Sequence, residues 1–318
     1  MTLRNVAAVI LALASASPAA AADLLKIASP QRGSWEGAIP ELGKEQGIFK
    51  KHGLDLDILY TAGGGETLQA VISGAVDVGL SAGTLGVMGA FAKNAPIRII
   101  GASSTGSREL FWYVPASSPL KSLRDAKEGT TIAYSTTGAS THIAVLHFIA
   151  DNGLKARPVA TGDISATTTQ TMSGQVDVGW SVAPFNLDPL AKGEIRLVAR
   201  ASDIPRIRGQ TIRVQIANLK TLEQKKDAIA RYLAAYRETL DWMYASPDAV
   251  ARYVAFSKLP ESAVKRMLAE FIPKESLQID RVVGTDDSMQ DAIQFKFLNA
   301  PLSAAQLKEL IRIPAGAR

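Results

Sequence analysis

Apolar and polar positions alternate or cluster in short runs from residue 24 to residue 217, and longer segments with helical spacing separate these runs. Residues 54–60 alternate between apolar and polar types, as a half-buried strand does. Residues 38–49 instead follow helical spacing and include Gly47 near the end. Over residues 24–102 the elements occur in the order β-α-β-α-β-α-β, which predicts a parallel sheet with helices on both faces.

A second α/β series follows from residue 130 to residue 199. Two further strands are predicted near Phe111–Val114 and Ile212–Ile216, and we expect them to cross between the lobes and to act as a hinge. Beyond Leu222 the pattern is helical. The helices predicted there are residues 222–243, 247–256, 261–271, 286–298 and 304–311. The chain is therefore expected to form two α/β lobes, each with a mostly parallel sheet flanked by helices.

One short phrase occurs twice, 100 residues apart. Ser73–Ser81 is SGAVDVGLS and Ser173–Ser181 is SGQVDVGWS, so seven of the nine positions are identical. Each copy predicts a helix that ends at a glycine, a buried strand and a serine in the turn that follows. We interpret the glycines and valines as structural. The serines after the strands are expected to face a cleft shared by two similar lobes.

Composition and charge narrow the class of protein. The 318 residues are 47% apolar and 20% charged, which is typical of a folded chain large enough for two domains. The net charge of +5 is thinly spread, with no basic block longer than a pair such as Lys50–Lys51. Nucleic-acid binding is therefore not expected. A mild positive excess is compatible with an anionic ligand.

The N-terminus predicts export. Arg4, the apolar run Val6–Ala16 and small residues up to Asp23 are typical of a secretory signal peptide over residues 1–22, and the run is too short to span a bilayer. The chain contains no cysteine, so neither disulfides nor a lipidated N-terminal cysteine are expected. These features predict a freely diffusing periplasmic protein without a lipid anchor.

Turns rich in glycine and hydroxyl residues follow several predicted strands, where open α/β sheets bind their ligands. They are Gly63–Thr67, Ser81–Thr84, Ser103–Ser107, Ser135–Thr141 and Ser181–Pro184. Any one of them is explained by ordinary helix capping, whereas five in matching positions favour a site for a sulfonate, nitrate or carboxylate. Trp35 and Trp180 occupy loops at matching strand ends and are candidate walls of that site, with core packing as the alternative. Arg108 and Arg213 are expected at a solvated hinge surface and are left out of the site.

An enzyme is the first alternative. Gly79–Gly83 matches the G-x-S-x-G motif of serine hydrolases, with Ser81 as the nucleophile. The motif requires a histidine late in the chain, and the histidines are His52, His142 and His147. The duplicated turn explains the match more simply. No dinucleotide fingerprint, phosphate loop or metal-ligand spacing is present, so neither a cofactor nor a catalytic metal is predicted.

Residues 25–220 resemble the periplasmic substrate-binding proteins of ABC importers, of the nitrate/sulfonate/taurine type. The resemblance depends on Gly47–Asp55, Leu68–Gly79, Val114–Leu123, Thr131–Ser140 and Tyr236–Trp242. It implies a two-lobed type II periplasmic-binding-protein (flytrap) fold. The implied divisions are residues 23–112 for the first segment of lobe 1, 113–212 for lobe 2, and 213–318 for a return strand and helices that complete lobe 1.

The resemblance also implies a function. A monomeric, non-enzymatic protein would capture a small sulfonate-, taurine- or nitrate-like anion between its lobes and deliver it to an inner-membrane permease with a cytoplasmic ATPase. A ligand-sensing module is the second alternative, beside the Ser81 hydrolase. The expected ligand-binding residues are Trp35, Ser81, Ala82, Gly83, Thr84, Ser135, Thr136, Thr137, Gly138, Ser140, Trp180 and Ser181.

Overall fold

The computed structural model describes residues 22–314. The predicted signal peptide lies outside the described residues, apart from Ala22. Within the described range, none of the helices is both long enough and apolar enough to cross a membrane.

The described strands and helices alternate along most of the chain. The strands are β1 (Asp23–Pro30), β2 (Leu54–Thr61), β3 (Val78–Gly83), β4 (Ile97–Thr105), β5 (Leu110–Pro115), β6 (Thr131–Tyr134), β7 (Arg157–Ala160), β8 (Gly179–Val182), β9 (Ile195–Arg200) and β10 (Thr211–Asn218). The helices are α1 (Ile39–Glu45), α2 (Ile48–Lys51), α3 (Gly64–Ile72), α4 (Thr84–Ala92), α5 (Ser140–Asn152), α6 (Ile164–Met172), α7 (Leu187–Ala191), α8 (Pro205–Arg208), α9 (Leu219–Gln224), α10 (Lys226–Ala245), α11 (Pro247–Ser257), α12 (Glu261–Glu270), α13 (Thr285–Gln294) and α14 (Ala304–Leu310).

Three sheets organise the two lobes. The first has the order β2-β1-β3-β10-β4, in which β1 is parallel to β2 and β3, and β10 is antiparallel to both of its neighbours. In the second lobe β8, β5 and β9 form an antiparallel sheet, and β6 and β7 form a parallel pair. A parallel bridge from Ile132 to Val178 joins these two parts. The predicted architecture of two parallel-rich lobes flanked by helices is confirmed.

The two predicted crossing strands each belong to one sheet. β5 is the central strand between β8 and β9, and β10 lies between β3 and β4. The chain therefore passes between the sheets at residues 106–109 and 201–210, which precede these strands. Each of these strands is paired on both sides, and its role as a hinge stays a prediction.

The late helices return to the first lobe. α10 packs on α1, and α13 packs on α4. The helix predicted over residues 222–243 is in fact two helices, α9 and α10, with a break at Lys225. Lys225 Nζ lies 3.1 Å from Asp77 Oδ2, and that ion pair holds the break against the first sheet.

The repeated phrase performs the same structural task in both lobes. Gly74 and Gly174 have φ values of 75° and 77°, which glycine adopts without strain as a helix ends. Asp77 Oδ2 accepts a hydrogen bond from Lys26 N–H at 2.9 Å, and Asp177 Oδ2 accepts one from Thr131 N–H at 2.8 Å. Asp77 thus ties β3 to β1 within the first sheet, and Asp177 ties β8 to β6 across the bridge between the two parts of the second lobe, so the two lobes share local construction.

Candidate functional site

A cavity lies between the lobes, where strand ends from both sheets meet. It contains about 550 Å³ of empty space, its open mouth included. Its wall is formed by Pro30, Gln31, Ser34, Trp35, Glu36, Gly63, Gly64, Ser81, Glu109, Leu110, Ser135, Ala139, Ser140, Thr141, Trp180, Val182, Arg213, Ile272 and Leu277. Both lobes therefore contribute to one enclosed space.

A charged cluster forms one side of this wall. Arg213 Nη2 lies 3.0 Å from Glu36 Oε2 and also binds Glu109 Oε1. Ser81 Oγ donates a hydrogen bond to Glu36 Oε1 at 2.5 Å. All four side chains are buried. The cluster joins the loop after β1, the end of β3, the segment before β5 and the start of β10.

The electrostatics of the cluster keep Arg213 charged. Burial by itself lowers the pKa of the guanidinium, but the Glu109 and Glu36 carboxylates outweigh burial, and the net pKa is raised. Tyr236 lies beside this cluster. Burial, and then the Glu36 carboxylate, raise the pKa of its hydroxyl. At neutral pH the tyrosine is a neutral neighbour of a charged network.

Two tryptophans contribute apolar surface to the cavity wall. Trp35 is fully buried, and the edges of Tyr244 and Tyr253 hold it at centroid distances of 5.7 and 4.7 Å. Trp180 comes from the other lobe, and its Nε1–H donates to Thr161 Oγ1 at 3.2 Å. Because each ring is fixed by its own lobe, a ligand between them would contact both lobes at once.

A seam of glycines brings the lobes together beside the cavity. Gly65 N–H donates to Thr136 Oγ1 at 3.0 Å, which is a direct hydrogen bond between the lobes. A Cβ atom on Gly65 would collide with the Thr137 carbonyl oxygen, and one on Gly83 would collide with the Gly138 carbonyl oxygen. Only glycine permits this separation of the two backbones.

The opposite edge of the cleft is closed as well. Gln31 Oε1 from the first lobe accepts a hydrogen bond from Ile164 N–H of the second lobe at 3.3 Å. A Cβ atom on Gly33 would lie 3.1 Å from the ring of Phe185. With contacts on both edges, the structure represents a closed state of the two lobes.

The predicted site residues fall into two groups. Those on the cavity wall are Trp35, Ser81, Ser135, Ser140 and Trp180. Those away from the wall are Ala82, Gly83, Thr84, Thr136, Thr137, Gly138 and Ser181. For both groups, contact with a ligand stays a prediction.

The second group makes protein contacts instead. Thr136, Thr137 and Gly138 abut the first lobe in the glycine seam. Thr84 Oγ1 donates to the Thr211 carbonyl oxygen at 2.6 Å, and Ser181 Oγ donates to the Phe185 carbonyl oxygen at 3.2 Å. These hydroxyls hold neighbouring segments of their own chain in place. Of the predicted turn 103–107, Ser103 and Ser104 lie within β4 and are buried.

Sequence reasoning missed the charged cluster. Arg213 was expected at a solvated hinge surface, and that expectation is wrong, since only 7% of the residue is exposed. A signal was available: an arginine inside the apolar run Thr211–Ala217 must find a counter-charge once the strand is buried. Nothing in the local pattern marked Glu36 and Glu109 as its partners.

His142 provides a test of pH dependence at the seam. Burial lowers its pKa to about 4, from an ordinary value of 6.5, and its Nδ1 accepts the Gly138 N–H at 3.3 Å. Between pH 6.5 and 4 the unfolded chain therefore binds more protons than the folded one. The free energy of unfolding should fall by about 1–3 kcal/mol as the pH drops through this window. Above pH 6.5, protonation of His142 should not contribute to the change of this free energy with pH.

Urea unfolding of the wild type and of His142→Gln, from pH 7 to pH 4, would measure this effect. The glutamine variant should show a shallower decline than the wild type. Identical pH profiles would contradict the assignment of the effect to His142.

Comparison with known proteins supplies the family. A model of the NMT1/THI5-like family matches residues 41–250, which is more than half of the chain. The chain belongs to the NMT1/THI5-like family. A search of curated protein sequences gave no match to this chain.

Solved structures share the fold of this NMT1/THI5-like protein. The alkanesulfonate-binding protein SsuA from Xanthomonas axonopodis pv. citri, bound to MOPS, is 18% identical with a TM-score of 0.77, covering 93% of this chain and 100% of its own. The periplasmic nitrate-binding protein NrtA from Synechocystis PCC 6803 is 14% identical with a TM-score of 0.69, covering 92% and 86%. The desulfurization enzyme DszB is 14% identical with a TM-score of 0.64, covering 92% and 96%. At these identities the likeness establishes the fold, the periplasmic-binding-protein fold expected from the sequence.

Proposed function

We propose that this protein is the extracytoplasmic solute-binding component of an ABC importer. The observation that carries the proposal is the enclosed cavity between two lobes, whose wall combines fixed aromatic rings, hydroxyl groups and a buried charged cluster. A cleft with apolar walls and a few polar groups is typical of sites that bind small solutes. Delivery to a membrane permease and residence in the periplasm belong to the same proposal.

Closure is the step that the geometry explains best. A ligand in the cavity would contact Trp35 of one lobe and Trp180 of the other, so it would bind the closed state more tightly than an open one. The hydrogen bonds from Gly65 to Thr136 and from Ile164 to Gln31 then add contacts that an open state would lack. Differential contacts of this kind shift the population towards closure.

The predicted acidic group of the ligand has a plausible partner in Arg213. Its Nη2 is engaged by the two glutamates, whereas its buried Nε has no hydrogen-bond partner among the described residues. An oxygen of a sulfonate or carboxylate would satisfy that donor. Ser81, Ser135 and Ser140 supply hydroxyl groups on the same wall.

A thermal-shift screen tests the proposal. We expect at least one compound among nitrate, alkanesulfonates, aminosulfonates, amino acids, organic amines and aromatic acids to raise the melting temperature by several degrees. The same compound should alter the intrinsic fluorescence, since Trp35 and Trp180 line the cavity. A screen in which no small solute has any effect, at several pH values, would contradict a solute-binding function.

The hydrolase alternative is favoured by one observation. Ser81 has a φ of 53°, an uncommon value outside glycine that also occurs at strained nucleophile turns. Its hydroxyl donates to the Glu36 carboxylate, however, and not to a histidine. A hydrolase predicts turnover of short esters that is lost in Ser81→Ala, so an inert wild-type protein would exclude it. A sensing role shares the binding site and would be distinguished by its membrane partner.

A further inference from the structure

The charges on the cavity wall do not balance. Among the described residues that line it, Glu36 and Glu109 contribute two carboxylates and Arg213 contributes one guanidinium. The other lining residues are neutral. With all three groups ionised, the protein therefore places one excess negative charge in the cleft between its lobes.

Glu109 is the carboxylate that can accept further hydrogen bonds. Its Oε1 binds Arg213, and no hydrogen bond to Oε2 is present among the described residues. Glu36 is more fully engaged, because Oε1 accepts from Ser81 and Oε2 faces Arg213. Only 3% of Glu109 is exposed. Because Glu109 lines the cavity, a positive group of a ligand could bind the carboxylate oxygen that Arg213 leaves free.

We propose that the ligand supplies this group: it carries a positively charged nitrogen that lies against Glu109, with its organic body between Trp35 and Trp180. This inference rests on the proposed solute-binding function and specifies its ligand. Ammonium N–H groups form charge-assisted hydrogen bonds with carboxylates. An acidic group elsewhere on the same ligand can still bind Arg213. Nitrate and simple alkanesulfonates lack the positive group and are predicted to bind poorly.

The decisive variant is Glu109→Gln, which keeps the shape of the side chain and removes its charge. In the ligand-free protein Glu36 remains as the counter-charge of Arg213 and the glutamine amide oxygen can still accept a hydrogen bond from it, so the variant should stay folded, with a modest fall in melting temperature. For any ligand that carries the positive nitrogen, affinity should fall by at least about 10-fold. Glu128→Gln, on the exposed surface of the second lobe, is the matched control and should leave both quantities unchanged.

The probes are sorted by charge: ethylamine and larger organic ammonium ions, the zwitterionic aminosulfonates and amino acids, alkanesulfonates, and nitrate. Hits that share a positive nitrogen and lose affinity in Glu109→Gln would support the proposal. Equally tight binding of nitrate or alkanesulfonates, or unchanged affinity in Glu109→Gln, would overturn it while leaving solute binding intact. Absence of any hit would contradict the proposed function itself.

Discussion

Gly83→Ala is expected to lower ligand affinity by about 100-fold and to leave each lobe folded. The atoms nearest to the added methyl group all belong to Gly138 and Ala139 of the other lobe. A methyl group that meets a backbone carbonyl cannot be relieved by a side-chain rotation, so the lobes must separate. The backbone of Gly83 itself, with φ −65° and ψ 126°, accepts alanine without strain. The loss therefore falls on the closed state, and apparent affinity falls with the population of that state.

Isothermal titration with a ligand from the screen would measure the affinity, and small-angle scattering would measure the closure of the lobes. The variant should show weak binding and a radius of gyration that does not shrink when ligand is added. Gly209→Ala is the control, since nothing lies within 4 Å of the methyl group it would add. Wild-type affinity in Gly83→Ala would show that the seam is dispensable for closure.

Arg213→Met is expected to destabilise the protein by about 3–5 kcal/mol at neutral pH. The substitution keeps much of the side-chain volume but leaves Glu36 and Glu109 buried without their counter-charge, and breaking a buried ion pair from one side carries a cost of this size. The destabilisation should shrink as the pH falls towards 4, because the stranded carboxylates can then take up protons.

Denaturant unfolding at pH 7 and pH 4.5 gives the comparison. Arg108→Met, at an exposed position close to Glu109 in sequence, should change the free energy of unfolding by less than about 0.5 kcal/mol at either pH. A destabilisation of Arg213→Met that is independent of pH would point to lost packing in place of lost charge pairing.

Local patterns predicted most of the secondary structure because they depend on near neighbours in the chain. The alternation at Leu54–Tyr60 is the strand β2, and both copies of SGxVDVG form a helix end followed by a strand. The same patterns predicted one continuous helix and missed the break at Lys225. The ion pair at that break involves Asp77, a residue 148 positions away.

The residues of the candidate site also divide into those that the local pattern could predict and those that it could not. Ser81, Ser135 and Trp180 could be placed near a cleft because they lie at or beside the ends of strands. Ser81 and Trp180 lie within β3 and β8, however, and not in the turns or loops that the sequence predicted for them, because the strands extend further than the local pattern indicates. The roles of Thr136, Thr137 and Gly138 could not be predicted, because a turn that binds a ligand and a turn that contacts another lobe have the same composition. Only the docking of the two lobes distinguishes them.

The sequence by itself determined the two-lobed α/β architecture, the duplicated strand units and the general position of the cleft. It did so because hydrophobic periodicity and glycine placement act over a few residues. Only the tertiary structure decided that Arg213 lies between Glu36 and Glu109 and that glycines form the seam of the closed state. Arg213 and Glu109 are 104 positions apart, and the attraction between buried charges acts through space, so the local pattern could indicate an arginine that needs a counter-charge but not the residues that supply it.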